Sequence, residues 1–310
     1  IRNLLQVRKY DKILIHFFDP AYFQLLEPQD LSNTQIILYS HGTDALYRAF
    51  DVIGRPYFVS DYVVPESFTK TFALRDYYIK KYNNLPNVKF VFVSNWAKKM
   101  SEELLKIKYN NAEVIPCFID ERQFPYTEKD PELRKRVFVL RKFDDLSTYS
   151  IDIDVRVILE LSHRKCFNDM EFSIYGDGGI HDKLVEPLRK FSNVHIYRKF
   201  LSHDEIKMMQ KENGIGLFAT RFDTQAVSSC EAAMAGCVVV SSKNVGTCEY
   251  IDPKIGAFCE TENIIEYADL IEELYNDPKL FKTMSEKMHD SVMKTCSYKY
   301  SIKKDMDMIL

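Results

Sequence analysis

The feature that most constrains this chain is a rhythm. Short apolar runs of strand length alternate with longer segments of helical period, and they do so twice. In the first block the strand candidates are residues 12–17, 35–39, 57–59 and 90–93. A helix over 95–106 follows, with Ser94 placed to cap it, and then a short strand at 114–115. The stretch "PCFIDERQFPYTEKDPE" that follows is proline-bearing, polar and without helical period, which reads as a linker. The second block runs strand 136–140, helix 151–162, strand 171–175, helix 180–191, strand 194–197, helix 203–212, strand 215–219, a helix from Gln225, strand 238–240, a short strand at 256–258, and helices to the end. Regular β-α-β alternation dictates parallel sheets covered by helices, because parallel strands need crossover connections. The expected fold class is therefore α/β, with two Rossmann-like domains whose parallel sheets face a cleft. The boundaries fall at 1–125 and 126–293, with a helix over 294–310 that can return to the N-terminal domain. In open α/β sheets ligands bind beyond the carboxyl ends of the strands. Arg141, Gly176 and Asp223 each follow a strand closely, so they should share one rim.

Composition adds exclusions. A length of 310 residues suits two domains, and a net charge of −3 gives no reason to expect nucleic acid as a partner. No run of eighteen apolar residues is present to span a membrane as a helix. The seven cysteines form no CxxC pair, which reads as reduced, mostly buried thiols of a cytoplasmic protein. The histidines show no ligand spacing with one another or with cysteine, so no metal site is expected. Lys98, Lys99, Lys106 and Lys108 form a basic cluster on and after one helix, either a solvated face or a peripheral contact with an anionic membrane surface.

The chemistry concentrates in "RFDTQAVSSCEAAMAGCVVVSS", residues 221–242. Asp223 precedes the expected helix and Glu231 lies about two turns inside it. The amides of Gln225, Ala226 and Val227 would be the open first turn, which favours an anion, phosphate above all. Acid, open helix end, acid can cradle a sugar, a diphosphate and a ribose in turn. The plainer alternative is that Asp223 only caps the helix and Glu231 only faces solvent.

The order of motifs around this segment resembles the retaining GT-B glycosyltransferases, the large family that includes sucrose synthases and bacterial mannosyltransferases. Their E-x7-E motif runs into a small-residue "EAMA-G-PVV" segment, and this chain has "DTQAVSSCEAAMAGCVVV". The resemblance extends through "FSIYGDGG", "NVHIYRKFLSHDEIKMM" and "NVGTCEYIDPKIGAF", and upstream through "VFVSNWAKKM" and "AEVIPCFIDERQF". It implies a GT-B fold and a retaining, metal-independent transferase. The enzyme would move a sugar from a nucleotide-diphosphate sugar, a UDP-sugar favoured over a GDP-sugar, to a glycan, lipid or protein acceptor. It would need no cofactor, and would serve bacterial cell-surface polysaccharide or glycoconjugate synthesis in the cytoplasm or at the inner face of the membrane. Position by position, the resemblance implies that Glu231 binds the ribose and Asp223 the donor sugar. Gln225, Ala226 and Val227 would offer backbone N–H groups. Arg141 would bind phosphate, with Lys142 sharing its charge and Gly176 lining the site. Leu201 would contact the base through its backbone, and His41, in "YSHGTD", would reach the donor sugar from the N-terminal domain.

The chain departs from the family pattern in four places. The first motif acid is Asp223 rather than glutamate, and a helix-start glycine has become Ala226. The basic residue expected a few positions after the arginine is missing from "RKFDDLSTYS", and Lys142, beside Arg141 on a strand, should point to the other face. Finally, "KILIHFFDP" resembles a later strand of the family's first domain, which implies an N-terminal domain without its first strands. These departures sustain a second expectation, a non-catalytic nucleotide- or glycan-binding partner subunit on a degenerate GT-B fold. A sugar-nucleotide epimerase of the same fold is a third.

Overall fold

The computed structural model describes residues 10–46, 66–144, 146, 148–243 and 246–310. The strand expected at 57–59 lies outside them. Contacts divide the chain into one unit comprising Ile1–Pro116 with Lys303–Leu310, and a second comprising Cys117–Ile302.

The first unit holds β1 (Lys12–His16), α1 (Pro20–Leu26), β2 (Gln35–Ser40), the helical turn α2 (Thr43–Leu46), α3 (Glu66–Asn83), β3 (Val88–Phe92), α4 (Asn95–Leu105) and β4 (Ala112–Val114). All four strands are parallel, in the order β1-β2-β3-β4. The central strands are continuous apolar runs because both their faces are covered: Ile36, Ile37, Leu38, Phe90, Val91 and Phe92 are all buried. Ser94 caps α4 as the sequence predicts, its Oγ accepting the Ala97 N–H at 3.0 Å. Neither α1 nor α3 was expected. Pro20 reads as a helix breaker, yet at the first helical position it lacks only an N–H that would have no helical partner, and the Asp19 carboxylate caps the turn through the Ala21 N–H at 2.8 Å. The aromatic-rich sequence of α3 blurs its period.

The second unit runs β5 (Arg136–Leu140), α5 (Ile151–Leu161), β6 (Glu171–Gly176), α6 (His181–Val185), β7 (Val194–Arg198), α7 (His203–Glu212), β8 (Ile215–Phe218), α8 (Val227–Met234), β9 (Val238–Ser242), β10 (Phe258–Cys259), α9 (Ile264–Asn276), α10 (Pro278–Cys296) and α11 (Tyr298–Ile309), whose last turns belong to the first unit. Its parallel sheet has the order β10-β9-β8-β5-β6-β7. The winding goes outward from β5 through β6 and β7, then resumes on the other side with β8. This reversal between β5 and β8 opens a crevice at their carboxyl ends. Val137 pairs with Phe172 on one side and Ile215 on the other, so β5 is the innermost strand at the switch.

Several expectations are corrected. The helix expected over 180–191 is two pieces, α6 and a 3-10 turn over Glu186–Leu188, because Pro187 cannot donate to the helical ladder. The strand expected at 256–258 is instead the two-residue β10, since Gly256 closes a 3-10 turn at φ 91°. The segment read as a linker packs into the second unit. Phe124 and Lys129 are buried, Lys129 Nζ donates to the Gln210 carbonyl at 2.6 Å, and Ile119 N–H donates to the Cys296 carbonyl at 2.8 Å. Among the described residues no helix is long and apolar enough to cross a membrane.

Candidate functional site

The crevice at the β5/β8 switch is built from the ends of those two strands. Arg141 follows β5 and is 5% exposed. Its guanidinium lies between two aromatic rings, 5.2 Å from the Tyr149 centroid and 4.7 Å from that of Phe218. Nη2 donates to Thr220 Oγ1 at 2.9 Å and Nη1 reaches Ser228 Oγ at 3.4 Å. Thr220 is fixed in turn, its N–H donating to Ser242 Oγ at 2.9 Å. Arg141 is thus aimed at the start of α8. Burial pulls its pKa down, and the charges of Asp154 and Asp223 act against that pull.

Sequence reasoning placed the start of α8 too early. The helix begins at Val227, and Ala226 before it adopts the left-handed conformation at φ 57°, ψ 62°. The sequence resemblance expects glycine at this position, and an alanine in this conformation carries a cost of about 1–2 kcal/mol. The Gln225 amide is not open: it donates to Asp223 Oδ1 at 3.2 Å. The Gln225 side chain, 1% exposed, makes a two-way clamp on Cys117, accepting its N–H and donating to its carbonyl, each at 2.7 Å. The Ser229 amide turns back to the Ala226 carbonyl at 3.0 Å. Among the described residues, the amides of Ala226, Val227 and Ser228 make no hydrogen bond. They form an open helix terminus beside Arg141, one residue later than expected.

Glu231 lies one turn into α8 rather than two, half-buried, with no hydrogen bond to its carboxylate among the described residues. Burial alone raises its pKa to about 7. A half-buried acid without a partner is a poor solvated-surface residue and suits a ligand with hydroxyl donors. Asp223 does not cap the helix, the role the plainer alternative gives it: it accepts the N–H of Gln225, two residues before the helix, and its charge also acts on Arg141.

The other candidates divide. Gly176, at φ 150°, lets the turn after β6 close on the end of β5: a Cβ there would lie 1.8 Å from the Arg141 carbonyl oxygen. Gly178 packs equally tightly on Phe143, so "GDGG" is a packing turn that holds the Arg141 segment. Lys142 is exposed and paired with Asp144 at 2.7 Å; β5 ends at Leu140, so this ion pair rather than strand alternation is what the structure shows for its direction. Leu201 follows β7 half-buried, just before the capping box of Ser202 and Glu205 on α7. His41 belongs to the first unit, after β2. Its Nε2 lies 2.8 Å from His16 Nδ1, and burial holds its pKa down. Asp44 organises that loop by accepting N–H groups from Phe18, His41 and Gly42 at 3.1, 3.0 and 2.8 Å.

Sequence reasoning missed Arg221. It follows β8 and is buried. It pairs with both Asp152 oxygens at 2.8 Å and with Glu262 at 2.7 Å, and donates to the Leu146 carbonyl at 2.8 Å. The residue ties the β8 turn, the preceding loop and α5 into one frame. Among the described residues no group of three or more His, Cys, Asp and Glu could hold a metal ion.

A family model described as "Glycosyl transferases group 1" matches residues 155–290, most of the second unit. Known structures match far more of the chain. A TarM mutant from S. aureus, solved with Fondaparinux, alpha-GlcNAc-glycerol and UDP, superposes with a TM-score of 0.70 at 18% identity over 99% of this chain. Sucrose-phosphate synthase from Thermosynechococcus elongatus gives 0.71 at 14% identity over 97%, and a glycosyltransferase from Rickettsia africae ESF-5 gives 0.72 at 18% over 99%. The fold is of the GT-B type. The chain spans 57% of the TarM chain, 73% of the synthase and 78% of the Rickettsia protein. No curated protein sequence matches it.

Proposed function

We propose that this chain is a retaining glycosyltransferase that takes a sugar from a nucleotide-diphosphate sugar and passes it to a glycan or lipid acceptor. One observation carries the reading. Arg141 and the open amides of Ala226, Val227 and Ser228 meet at the switch point, with the unpartnered Glu231 one turn further along the same helix. Anion-binding groups followed by an acceptor-only carboxylate match a diphosphate joined to a ribose. The family model over this unit and the UDP in the TarM structure support the same ligand class.

In this reading Arg141 and the α8 amides stabilise the charge that develops on the departing diphosphate. Glu231 accepts the ribose hydroxyls and Asp223 a hydroxyl of the donor sugar. The acceptor hydroxyl attacks the anomeric carbon on the face from which the diphosphate leaves, the C–O bond to phosphate breaks, and the diphosphate oxygen takes the acceptor's proton. No separate general base is required and configuration is kept. The donor-sugar role of His41, the base contact of Leu201, the preference for UDP, and a place in bacterial surface-polysaccharide synthesis at the cytoplasmic face rest on sequence resemblance.

A second reading, a binding subunit without turnover, is favoured by one observation: Lys142 is turned to solvent on Asp144 and adds no charge beside Arg141. Incubating the protein with UDP-, GDP- and dTDP-sugars, with and without sugar acceptors, and following the anomeric proton by NMR separates the two. The enzyme reading expects release of nucleoside diphosphate with an axial or equatorial product that matches the donor. An inverted product overturns the retaining mechanism, and nucleotide binding without release from any donor supports the binding subunit.

A further inference from the structure

Beneath the switch point lies a buried acid that this chemistry does not use. Asp154, on α5, is fully buried. Its Oδ1 accepts the Ala219 N–H at 2.9 Å, which pins the end of β8. Its Oδ2 has no partner, and neither has the buried Nε of Arg141. Each is the strongest favourable charge acting on the other, yet no ion pair within 4.0 Å joins them. Two charged groups buried this deeply without a direct bond pay for desolvation without full return. A negative Asp154 would also cancel the cation that a diphosphate needs. A protonated Asp154 removes both problems and keeps its bond to Ala219.

We propose that Asp154 is a positioning residue that sets the charge of the anion site: it holds a proton while phosphate groups are bound beside Arg141, and takes that proton up on binding wherever the free site is ionised. This rests on reading the switch point as a nucleoside-diphosphate site. The proton comes from solvent and adds to the unpartnered Oδ2, and no other bond changes. The surroundings favour the step. Burial raises the pKa of Asp154 to about 8, against the pull of Arg141, the Ala219 N–H and Arg221, while Asp152 adds to the rise. Tyr267 of α9 is the other titratable group facing it, and its pKa lies well above the ordinary tyrosine range. On helices packed against α5, Asp269 and Glu272 are engaged on Arg164, Glu266 on Lys243, and Asp182 on Arg189, Arg198 and the buried His181 imidazole, while Lys183 and Glu273 form no ion pair among the described residues. A dianion arriving at Arg141 disfavours charge on Asp154 further, so the bound state holds the proton to higher pH.

Calorimetric titration of ADP, GDP and UDP between pH 6.5 and 9, each in two buffers of different ionisation heat, tests this. The ligands' terminal phosphate ionises near pH 6, and the guanine and uracil ring N–H groups only above about pH 9, so changes between about pH 7.5 and 8.5 belong to the protein, and ADP, whose base has no such N–H, carries the comparison up to pH 9. In wild type, uptake should be near zero at pH 6.5 and approach one proton above pH 8, where Kd should rise by up to about tenfold per pH unit. Asp154→Asn, which keeps an acceptor for Ala219, should show flat affinity and no uptake above pH 7.5. Glu231→Gln, though it binds more weakly, should keep the wild-type slope. Binding without uptake, or the same slope in Asp154→Asn, overturns the coupling alone. A slope lost in Glu231→Gln reassigns the proton to Glu231 and also overturns it. If Asp154→Asn fails to fold, the wild-type buffer dependence together with Glu231→Gln decides. Absence of binding by all three nucleotides at every pH overturns the nucleotide reading itself, and the coupling with it.

Discussion

Replacing Arg221 by alanine should unfold the second unit more readily than any surface change could. The Arg221 side chain is 3% exposed and that of Asp152 10%, and the pair is bidentate with both bonds at 2.8 Å. Truncation leaves the Asp152 carboxylate buried without its cation and the Leu146 carbonyl without a donor. Breaking one side of a buried pair costs about 3–5 kcal/mol. The Glu262 bond adds little, since that carboxylate is 48% exposed and such pairs contribute roughly 0–1 kcal/mol. With a urea dependence of about 2–3 kcal/mol per molar, the midpoint should fall by roughly 1–2 M. Far-UV circular dichroism during urea titration measures the shift. The double replacement Arg221→Met with Asp152→Leu removes both charges and should recover most of the loss, because a well-packed apolar pair is often as stable as the ion pair it replaces. A loss below about 1 kcal/mol in Arg221→Ala would refute the view that this network frames the switch point.

Three further outcomes follow from the same geometry. Gln225→Ala removes two hydrogen bonds to the half-buried Cys117 backbone and should cost about 1–3 kcal/mol by chemical denaturation, at roughly 0.5–1.5 kcal/mol per bond. Gly176→Ala drives a Cβ into the Arg141 carbonyl, should cost at least about 1–3 kcal/mol, and should weaken nucleotide binding by displacing Arg141, as thermal unfolding and titration would record. Glu231 has a folded pKa near 7 against an ordinary 4.5, so its contribution is whole below pH 4.5 and is lost as pH rises to 7. Glu231→Gln should flatten the fall in stability across that window by up to about 1.4 kcal/mol per pH unit, seen in urea midpoints measured from pH 4.5 to 7.

Much of the fold was legible because parallel sheets buried on both faces demand continuous apolar runs. The runs at 136–140 and 215–219 became the central strands β5 and β8, and the more alternating stretches at 171–175 and 194–197 became β6 and the half-exposed β7, each within a residue or so of the expected ends. Strand order was not legible: the reversal between β5 and β8 depends on which crossover goes to which side, and local pattern does not encode that. In the candidate site, spacing brought forward Asp223 and Glu231, and the strand end and the resemblance Arg141, but the helix start was set early. Ala226 gives no local sign of a left-handed conformation, since the pattern that marks such positions is glycine or asparagine. Arg221 and Asp154 were missed for a related reason. A charge beside a strand or in the first turn of a helix reads as exposed, and only the tertiary partners Asp152, Glu262 and Ala219 make Arg221 and Asp154 interior residues.

The central claim is that Arg141 and the first turn of α8 bind a nucleoside diphosphate. It is tested most directly by titrating UDP, GDP and ADP into wild type and Arg141→Met with a metal chelator present. The account predicts that at least one nucleotide binds wild type under these conditions, and that Arg141→Met loses about 10- to 100-fold in affinity, the worth of the charge-assisted hydrogen bonds removed. Equal affinity in the two proteins, or binding that appears only when a divalent cation replaces the chelator, would contradict it.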